Sequence, residues 1–387
     1  MPDPRAVRVG GTGAAFLAYF AMSGMLAPIG LITPVLAESL DLTLTATTAN
    51  FSWLTLGILA GSALALVVLT LWPLRRLLGG MYALAAIALF SLRAIDAPAL
   101  IWPALGVVGT CFGIGLAGAA LTISRLYAAE SRASMLVVTD ACFSIAGTVI
   151  AACAVRFIAA GAHWSSTYLI VAGVCCAIAI IAALVRLPET AVDEPDTPPS
   201  VSGAWPLGLW LCIVGLFLYT LGQYAMLWWL PNYLTNDYGV APELAGSVVG
   251  RFWTGMLCAQ LFVAWWVYRV GVRNLVTIGS LTTVLASLPL WLVRDVDLLP
   301  WLALLWGFAN LGLLKTVLTL GTLTLHAPTP AAVSALLFGA TGGTAASPWL
   351  TSRIVELGSE LSALQFSSAC YALLALLLLV ARRQTDT

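Results

Sequence analysis

The sequence predicts an all-α integral membrane protein, with twelve transmembrane helices in two halves of six. The first observation is composition: of the 387 residues, 61% are hydrophobic and only 9% are charged, whereas soluble proteins carry about 25% charged residues. The second is the length of the apolar runs, which suits helical spans and not the alternating strands of a barrel. The third is a single long polar interval, 187–206, near the middle of the chain.

Each predicted span is close to the roughly 20 residues that a helix needs to cross a bilayer. The spans cover residues 11–36, 47–71, 78–95, 99–122, 136–159, 166–186, 207–233, 243–268, 274–294, 299–324, 332–353 and 362–382. The first apolar run is too long for the core of a signal peptide, so we interpret it as a retained span. Pro348, which follows several glycines, predicts a break within the eleventh span.

The polar interval 187–206 is acidic and rich in Pro and Ser, which is typical of a disordered linker. It separates an N-terminal half, 1–186, from a C-terminal half, 207–387. A weak echo links the halves, because Trp53 in the second span and Trp253 in the eighth are each followed closely by a glycine. Two six-helix halves related by a parallel repeat are the layout of major facilitator transporters, whose solute site lies between the halves near the bilayer midplane.

The basic residues predict the orientation of the chain. Of the 17 Lys and Arg residues, eleven fall on one side of the membrane and four on the other, and the richer side is expected to be cytoplasmic. The eleven are Arg5, Arg8, Arg75, Arg76, Arg125, Arg132, Arg186, Arg269, Arg273, Arg382 and Arg383, and the four are Arg93, Arg156, Arg294 and Arg353. This distribution predicts a bacterial inner-membrane protein with both termini and the linker in the cytoplasm. The net charge of zero gives no sign of a nucleic-acid partner.

Charged side chains within apolar spans are candidates for function, because each costs roughly 2.5–3.5 kcal/mol to insert. Asp140 in the fifth span shares a helix face with Ser144. Arg251 lies about two turns inside the eighth span. We interpret Asp140 and Arg251 as coupling or gating residues. The alternative is that both are fixed structural charges, paired within the protein.

Lys315, the one lysine of the chain, lies near the middle of the tenth span, with Thr319 one turn further on. An ammonium group there predicts binding of an anionic group or, alternatively, a structural counter-ion. Tyr219 and Gln223, four residues apart in the seventh span, can stack on and hydrogen-bond a polar solute. The aromatic residues that follow favour a belt at the membrane surface; they are Trp228, Trp229 and Tyr233.

Several blocks of sequence resemble one group of transporters. They are Thr139-Asp140-Ala141-Cys142-Phe143-Ser144-Ile145-Ala146-Gly147, Tyr219-Thr220-Leu221-Gly222-Gln223, Trp229-Leu230-Pro231-Asn232-Tyr233 and Gly250-Arg251-Phe252-Trp253-Thr254-Gly255. The blocks are similar to the fucose–proton symporter family of major facilitators, most closely to its TsgA-type branch. The resemblance implies a central cavity lined by spans one, four, seven and ten. It therefore adds Tyr19 and Ser23 of the first span to the candidate solute contacts.

The chain departs from the pattern that this resemblance implies. The acids expected in the first and fourth spans are absent, and Gln223 stands where many members have a glutamate. Because glutamine cannot titrate, the sequence leaves open whether protons are a coupling partner.

We therefore expect a secondary transporter that moves a small polar solute by alternating access and acts as a monomer in the lipid bilayer. Lys315 favours an anionic solute. Two alternatives stay open: an efflux pump for amphipathic compounds, and a membrane sensor or assembly partner that carries nothing. No nucleophile–base set, metal-ligand spacing or phosphate loop is present in the sequence, so it indicates neither an enzyme nor a bound cofactor or metal.

Overall fold

The computed structural model describes residues 4–95, 97–185, 187, 205–325 and 330–383, and this part of the chain is helical with no strand. The helices are α1 Pro4–Leu26, α2 Ile29–Ser39, α3 Leu44–Asn50, α4 Ser52–Leu71, α5 Leu74–Ser91, α6 Pro98–Leu126, α7 Ala129–Ala159, α8 Ser166–Leu184, α9 Leu207–Tyr238, α10 Pro242–Val270, α11 Val272–Ser287, α12 Pro289–Leu292, α13 Leu299–Ala309, α14 Leu313–Leu323, α15 Pro330–Leu357 and α16 Glu360–Arg383. Arg186 and residues 188–204 of the predicted linker lie outside the described residues, so the linker bounds stay a prediction.

Eleven segments of the described chain are long and apolar enough to cross a membrane. Three of them join two helices: α3 with α4, α11 with α12, and α13 with α14. Helix α15 coincides with the eleventh predicted span and has 28 residues, but its Gly, Ser and Thr content makes it less apolar. The all-α membrane fold predicted from the sequence is confirmed.

Prolines do not break these helices where the sequence suggested. The expected break at Pro348 is wrong, because α15 continues through it to Leu357. Helix α9 likewise passes Pro231 and ends at Gly239, whose φ of 64° is left-handed. A proline removes only one backbone donor, and within a membrane protein neighbouring helices hold such a helix together.

The chain divides into two compact units, Met1–Thr197 and Pro198–Thr387. In the first unit, the closest helix pairs include α4 with α6, α1 with α7, and α5 with α8. In the second unit, α10 packs with α13, α9 with α15, and α11 with α16. The pairs correspond one to one along the chain, so each unit is a copy of the same helical arrangement.

Glycines fix the register of this repeat. A Cβ atom on Gly57 of α4 would collide with the carbonyl oxygen of Gly106 in α6, and one on Gly255 of α10 would collide with that of Leu304 in α13. Gly109 and Gly307 face α4 and α10 in the same way, at the same separation of 198 positions. This register places Arg251, and not Trp253, at the position equivalent to Trp53. The alignment of the two halves suggested by the sequence was therefore wrong by two residues.

A candidate solute site in the second unit

The tenth predicted span is interrupted near its middle. Helix α13 ends at Ala309 and α14 begins at Leu313, with Leu311 at φ 43° and Gly312 at φ 61° between them. A left-handed backbone costs a residue such as leucine roughly 1–2 kcal/mol. In the first unit, α6 continues unbroken through the equivalent positions, 112–114. The break is therefore a feature that distinguishes the second copy of the repeat from the first.

Two threonines of α11 stabilise the break. The hydroxyl groups of Thr282 and Thr283 lie 2.9 and 3.2 Å from the carbonyl oxygen of Ala309. Each can donate its one proton there or within α11, where Thr282 also reaches the carbonyl oxygen of Ile278 and Thr283 that of Gly279. Ending α13 leaves its last carbonyl groups without the helical donors that would follow, and these hydroxyls replace them at Ala309. Gly279 of the same helix leaves room for the break, because a Cβ there would lie 3.4 Å from the Cβ of Leu311.

Two side-chain amides near the break are buried, and one of them has an unused acceptor. Asn310 is fully buried, and its Nδ2 donates to the carbonyl oxygen of Trp306 at 2.6 Å. Its Oδ1 accepts from no described residue. Gln223 of α9 is also buried, at 4% exposure. Buried polar groups in proteins are normally satisfied, so the free Oδ1 of Asn310 calls for an explanation.

The contact between α9 and α14 shows how these residues are arranged. A Cβ on Gly321 of α14 would lie 3.2 Å from that of Cys212 in α9. Tyr219 and Gln223 follow Cys212 by 7 and 11 residues, close to two and three whole helical turns, so both lie on the face that meets α14. Both are buried, at 1% and 4% exposure.

The same contact sets the heights of the residues. Two spans, α10 and α11 with α12, separate α9 from the span that contains α14, so α9 and α14 run antiparallel. At a rise of 1.5 Å per residue, Lys315 then lies about level with Tyr219, and Asn310 about level with Gln223. The buried amides and the helix break therefore share one level of the second unit.

Lys315 and Thr319 turn away from this face. Six residues separate Lys315 from Gly321, which places it about 120° around the axis of α14 from the contact with α9. Both side chains are partly buried. The Thr319 hydroxyl donates to the carbonyl oxygen of Lys315 at 2.8 Å, so its proton is already used within α14. The sequence-predicted solute residues of this unit thus lie at similar heights but on two sides of α14.

The candidates of the first unit lie on α1 and α7. Tyr19 and Ser23 are four residues apart on α1 and are 8% and 0% exposed. The Ser23 hydroxyl has no hydrogen-bond partner among the described residues. Asp140 on α7 is partly buried, and the neighbouring Ser144 is fully buried.

Arg251 of α10 is exposed, and its guanidinium carbon lies 5.3 Å from the ring centroid of Trp301 in α13. A cation–π contact of this kind at an exposed position contributes about 0.5–1 kcal/mol. This contact lies within the second unit and gives Arg251 a structural partner.

The aromatic residues after Gln223 do not form a surface belt. Trp228, Trp229 and Tyr233 are 1%, 0% and 4% exposed. The indole N–H of Trp229 donates to the hydroxyl of Thr351 in α15 at 2.8 Å. These side chains pack inside the protein, so the prediction of a belt at the membrane surface was wrong.

Sequence reasoning missed the residues that form the break. Thr282, Thr283 and Asn310 hold it, yet none is charged and each stands in an apolar run. The Asn310-Leu311-Gly312 triplet was the available signal, because Asn and Gly mark turns and tolerate left-handed backbone.

A sequence model of the Major Facilitator Superfamily matches residues 12–348 of the chain. The chain belongs to this superfamily. It is a multi-pass membrane protein, and its family and fold are those of transporters.

Curated relatives confirm the resemblance predicted from the sequence. The chain is 27% identical over 380 residues to the TsgA homolog of Erwinia tasmaniensis, covering 96% of this chain and 95% of that protein. It is 26% identical over 367 residues to the TsgA protein of Shigella dysenteriae, covering 93% and 92% respectively.

Solved structures share the fold at low sequence identity. The D-xylose–proton symporter has a TM-score of 0.73 at 13% identity, over 96% of each chain. The nucleoside transporter NupG has a TM-score of 0.68 at 15% identity, over 97% of this chain and 98% of its own. The transporter FucP, in an outward conformation, has a TM-score of 0.64 at 15% identity, over 97% and 99% respectively.

Proposed function

We propose that this major facilitator is a secondary active transporter that moves a small polar, anionic solute by alternating access. The observation that carries the proposal is the break in the tenth span, which places Lys315 in the first turn of α14. In its protein family such a chain carries a solute, and this region combines a positive charge with irregular backbone.

Irregular backbone supports a site because it is rare at membrane depth. Non-helical backbone there is tolerated where it is buried in protein or lines a cavity, and interrupted helices hold the solute in several transporter folds. In the first unit the equivalent α6 is uninterrupted, so packing of this fold does not itself demand a break. A role in solute binding accounts for the cost of placing Leu311 in a left-handed conformation.

The position of Lys315 supports an anionic solute. Lys315 is the third residue of α14, where the aligned peptide dipoles are positive and a cation is disfavoured by roughly 0.3–1 kcal/mol. A carboxylate or another anion at this end of α14 would be stabilised by both the helix terminus and the ammonium group. The amide of Gln223, with a donor and an acceptor, would orient the neutral part of the solute, and Tyr219 would pack against it.

Proton coupling is part of the proposal through Asp140, since Gln223 cannot titrate. A solved structure with this fold is a D-xylose–proton symporter, which supports symport. We further propose a bacterial inner-membrane location with both termini cytoplasmic, and a monomer as the working unit.

Ligand-induced stabilisation of the purified protein tests the proposal, because a solute that binds the native state raises its apparent melting temperature. The panel comprises neutral sugars, organic acids, inorganic anions and amphipathic drugs, applied to the wild type, Lys315→Ala and the charge-preserving Lys315→Arg. We expect an organic acid to stabilise the wild type, to stabilise Lys315→Arg in part, and to lose at least tenfold in affinity with Lys315→Ala.

Other outcomes would contradict it. A neutral sugar that stabilises the wild type and Lys315→Ala equally would show that Lys315 is structural and the solute uncharged. Stabilisation by amphipathic drugs alone would favour an efflux pump. For any solute found, uptake into proteoliposomes with and without a pH gradient tests coupling, and Asp140→Asn should abolish the effect of the gradient.

A further inference from the structure

An apolar groove of about 830 Å³ lies in the first unit; α4 and α5 form its sides and α6 forms its floor. Large apolar side chains on its edges are strongly exposed: Trp53 at 52%, Leu56 at 53% and Leu84 at 44%. These side chains belong to the span Leu44–Leu71 and to α5, whose exposed apolar surface would face lipid in a membrane. Ligand sites of about 300–1,000 Å³ are typical in proteins, so the groove is large enough for a lipid or a drug-sized molecule.

The groove is apolar along most of its length and polar at one end. Asn50 and Ser52, at the junction of α3 and α4, supply the polar groups there. The Ser52 hydroxyl is buried and has no hydrogen-bond partner within the described chain. No charged residue is among the described residues that line the groove, so a ligand that carries its charge inside the groove would leave that charge unpaired.

The dimensions match one leaflet of a bilayer. The α6 residues that form its floor extend from Pro103 to Ile114, about 16 Å at 1.5 Å per residue. The hydrocarbon core of a membrane is about 30 Å thick, so the groove is about as long as one leaflet is deep. Its polar end lies towards the start of the span Leu44–Leu71, where the hydrocarbon meets the head groups.

We propose that this groove binds the acyl chains of a diacyl phospholipid, one of whose ester carbonyl oxygens accepts a hydrogen bond from the side-chain amide of Asn50. The ester group is an acceptor without a donor, and the amide N–H of Asn50 is a donor, so the two sides are complementary. The charged head group stays outside the groove in the interfacial region. This lipid would lie against Gly57 and Gly106, which line the groove, and would stabilise the close packing of α4 on α6.

Ala60 offers a direct test, because it lines the groove and is exposed. In Ala60→Phe the added ring would occupy the space of the acyl chains. Ala63→Phe is the matched control, since Ala63 is also exposed on α4 but is not part of the groove lining. Purified, delipidated proteins would be titrated with a diacyl phosphatidylglycerol while melting temperature and bound phosphorus are measured. We expect saturable lipid binding that stabilises the wild type and Ala63→Phe, and at least tenfold weaker binding by Ala60→Phe.

The ester contacts are tested separately with the diether analogue of the same lipid, which lacks the carbonyl oxygens. The wild type should bind the diester about fivefold more tightly, as one hydrogen bond would give, and the Asn50→Ala variant should bind both lipids alike. Equal binding by Ala60→Phe and the wild type would overturn the proposal. So would saturable binding in the groove of an amphipathic drug that phospholipid does not displace. These outcomes do not depend on which solute the protein carries.

Discussion

Gly57 in the first unit and Gly255 in the second hold equivalent positions: at each, the backbone of the neighbouring helix occupies the place where a Cβ would stand. The carbonyl oxygen of Gly106 fills that place beside Gly57, and the carbonyl oxygen of Leu304 fills it beside Gly255. Small residues allow membrane helices to approach this closely. These two helix contacts, α4 with α6 and α10 with α13, have the same register in the two units. They are therefore strong evidence for an internal repeat.

The first prediction is that Gly255→Ala lowers stability. The added methyl group meets backbone and not a flexible side chain, so α10 and α13 must separate, and overpacking of this kind costs about 1–3 kcal/mol. Thermal unfolding in detergent measures the effect. Gly173→Ala is the control, because a Cβ there meets nothing within 4 Å; it should be neutral or raise stability by up to about 1 kcal/mol. Equal melting temperatures for the two variants would contradict the close packing of α10 against α13 at Gly255.

The second prediction concerns Arg75, which ties two helices of the first unit together. Its Nε donates to the carbonyl oxygen of Ala182 at 2.8 Å, and its Nη2 donates to that of Ala183. These are among the last carbonyls of α8, which have no donors within their own helix, and a cation there is also favoured by the helix dipole. We expect Arg75→Met to cost about 1–2 kcal/mol, discounted for its exposure. The neighbouring Arg76 is also exposed, and Arg76→Met should leave the melting temperature unchanged.

The third prediction addresses the break in the tenth span. Replacing Thr282 and Thr283 together by valine keeps their shape but removes both donors to the carbonyl oxygen of Ala309. A buried carbonyl left without a partner costs about 1–3 kcal/mol, and the segment after it should open more often. Hydrogen exchange of the peptide that contains Leu311 should therefore quicken.

Thr341→Val is the control for this pair, because the Thr341 hydroxyl donates only within its own helix, to Leu337 at 2.8 Å. It should not change exchange around Leu311. If the double valine variant also leaves that exchange unchanged, the threonines do not hold the break.

The positions of the membrane spans could be predicted from the sequence. Span positions follow from apolar run length, which the bilayer sets. The break had a signal in Asn310 and Gly312, which tolerate left-handed backbone, but contacts with α11 decide whether the helix ends there. The separation of Gln223 from Lys315 was also hidden, since helical periodicity orders residues on one helix and says nothing about the direction in which its neighbour faces.

The fourth prediction tests the buried pair Trp229 and Thr351, which joins α9 to α15. The Trp229 indole N–H donates to the Thr351 hydroxyl at 2.8 Å, and both side chains are fully buried. Thr351→Val leaves the indole donor unsatisfied and should cost about 1–3 kcal/mol. In the Trp229→Phe background there is no indole donor to leave unsatisfied. Thr351→Val should therefore destabilise that variant much less than it destabilises the wild type. A double-mutant cycle on thermal stability measures this coupling. Strictly additive effects of the two substitutions would show that the hydrogen bond does not contribute to the packing of α9 against α15.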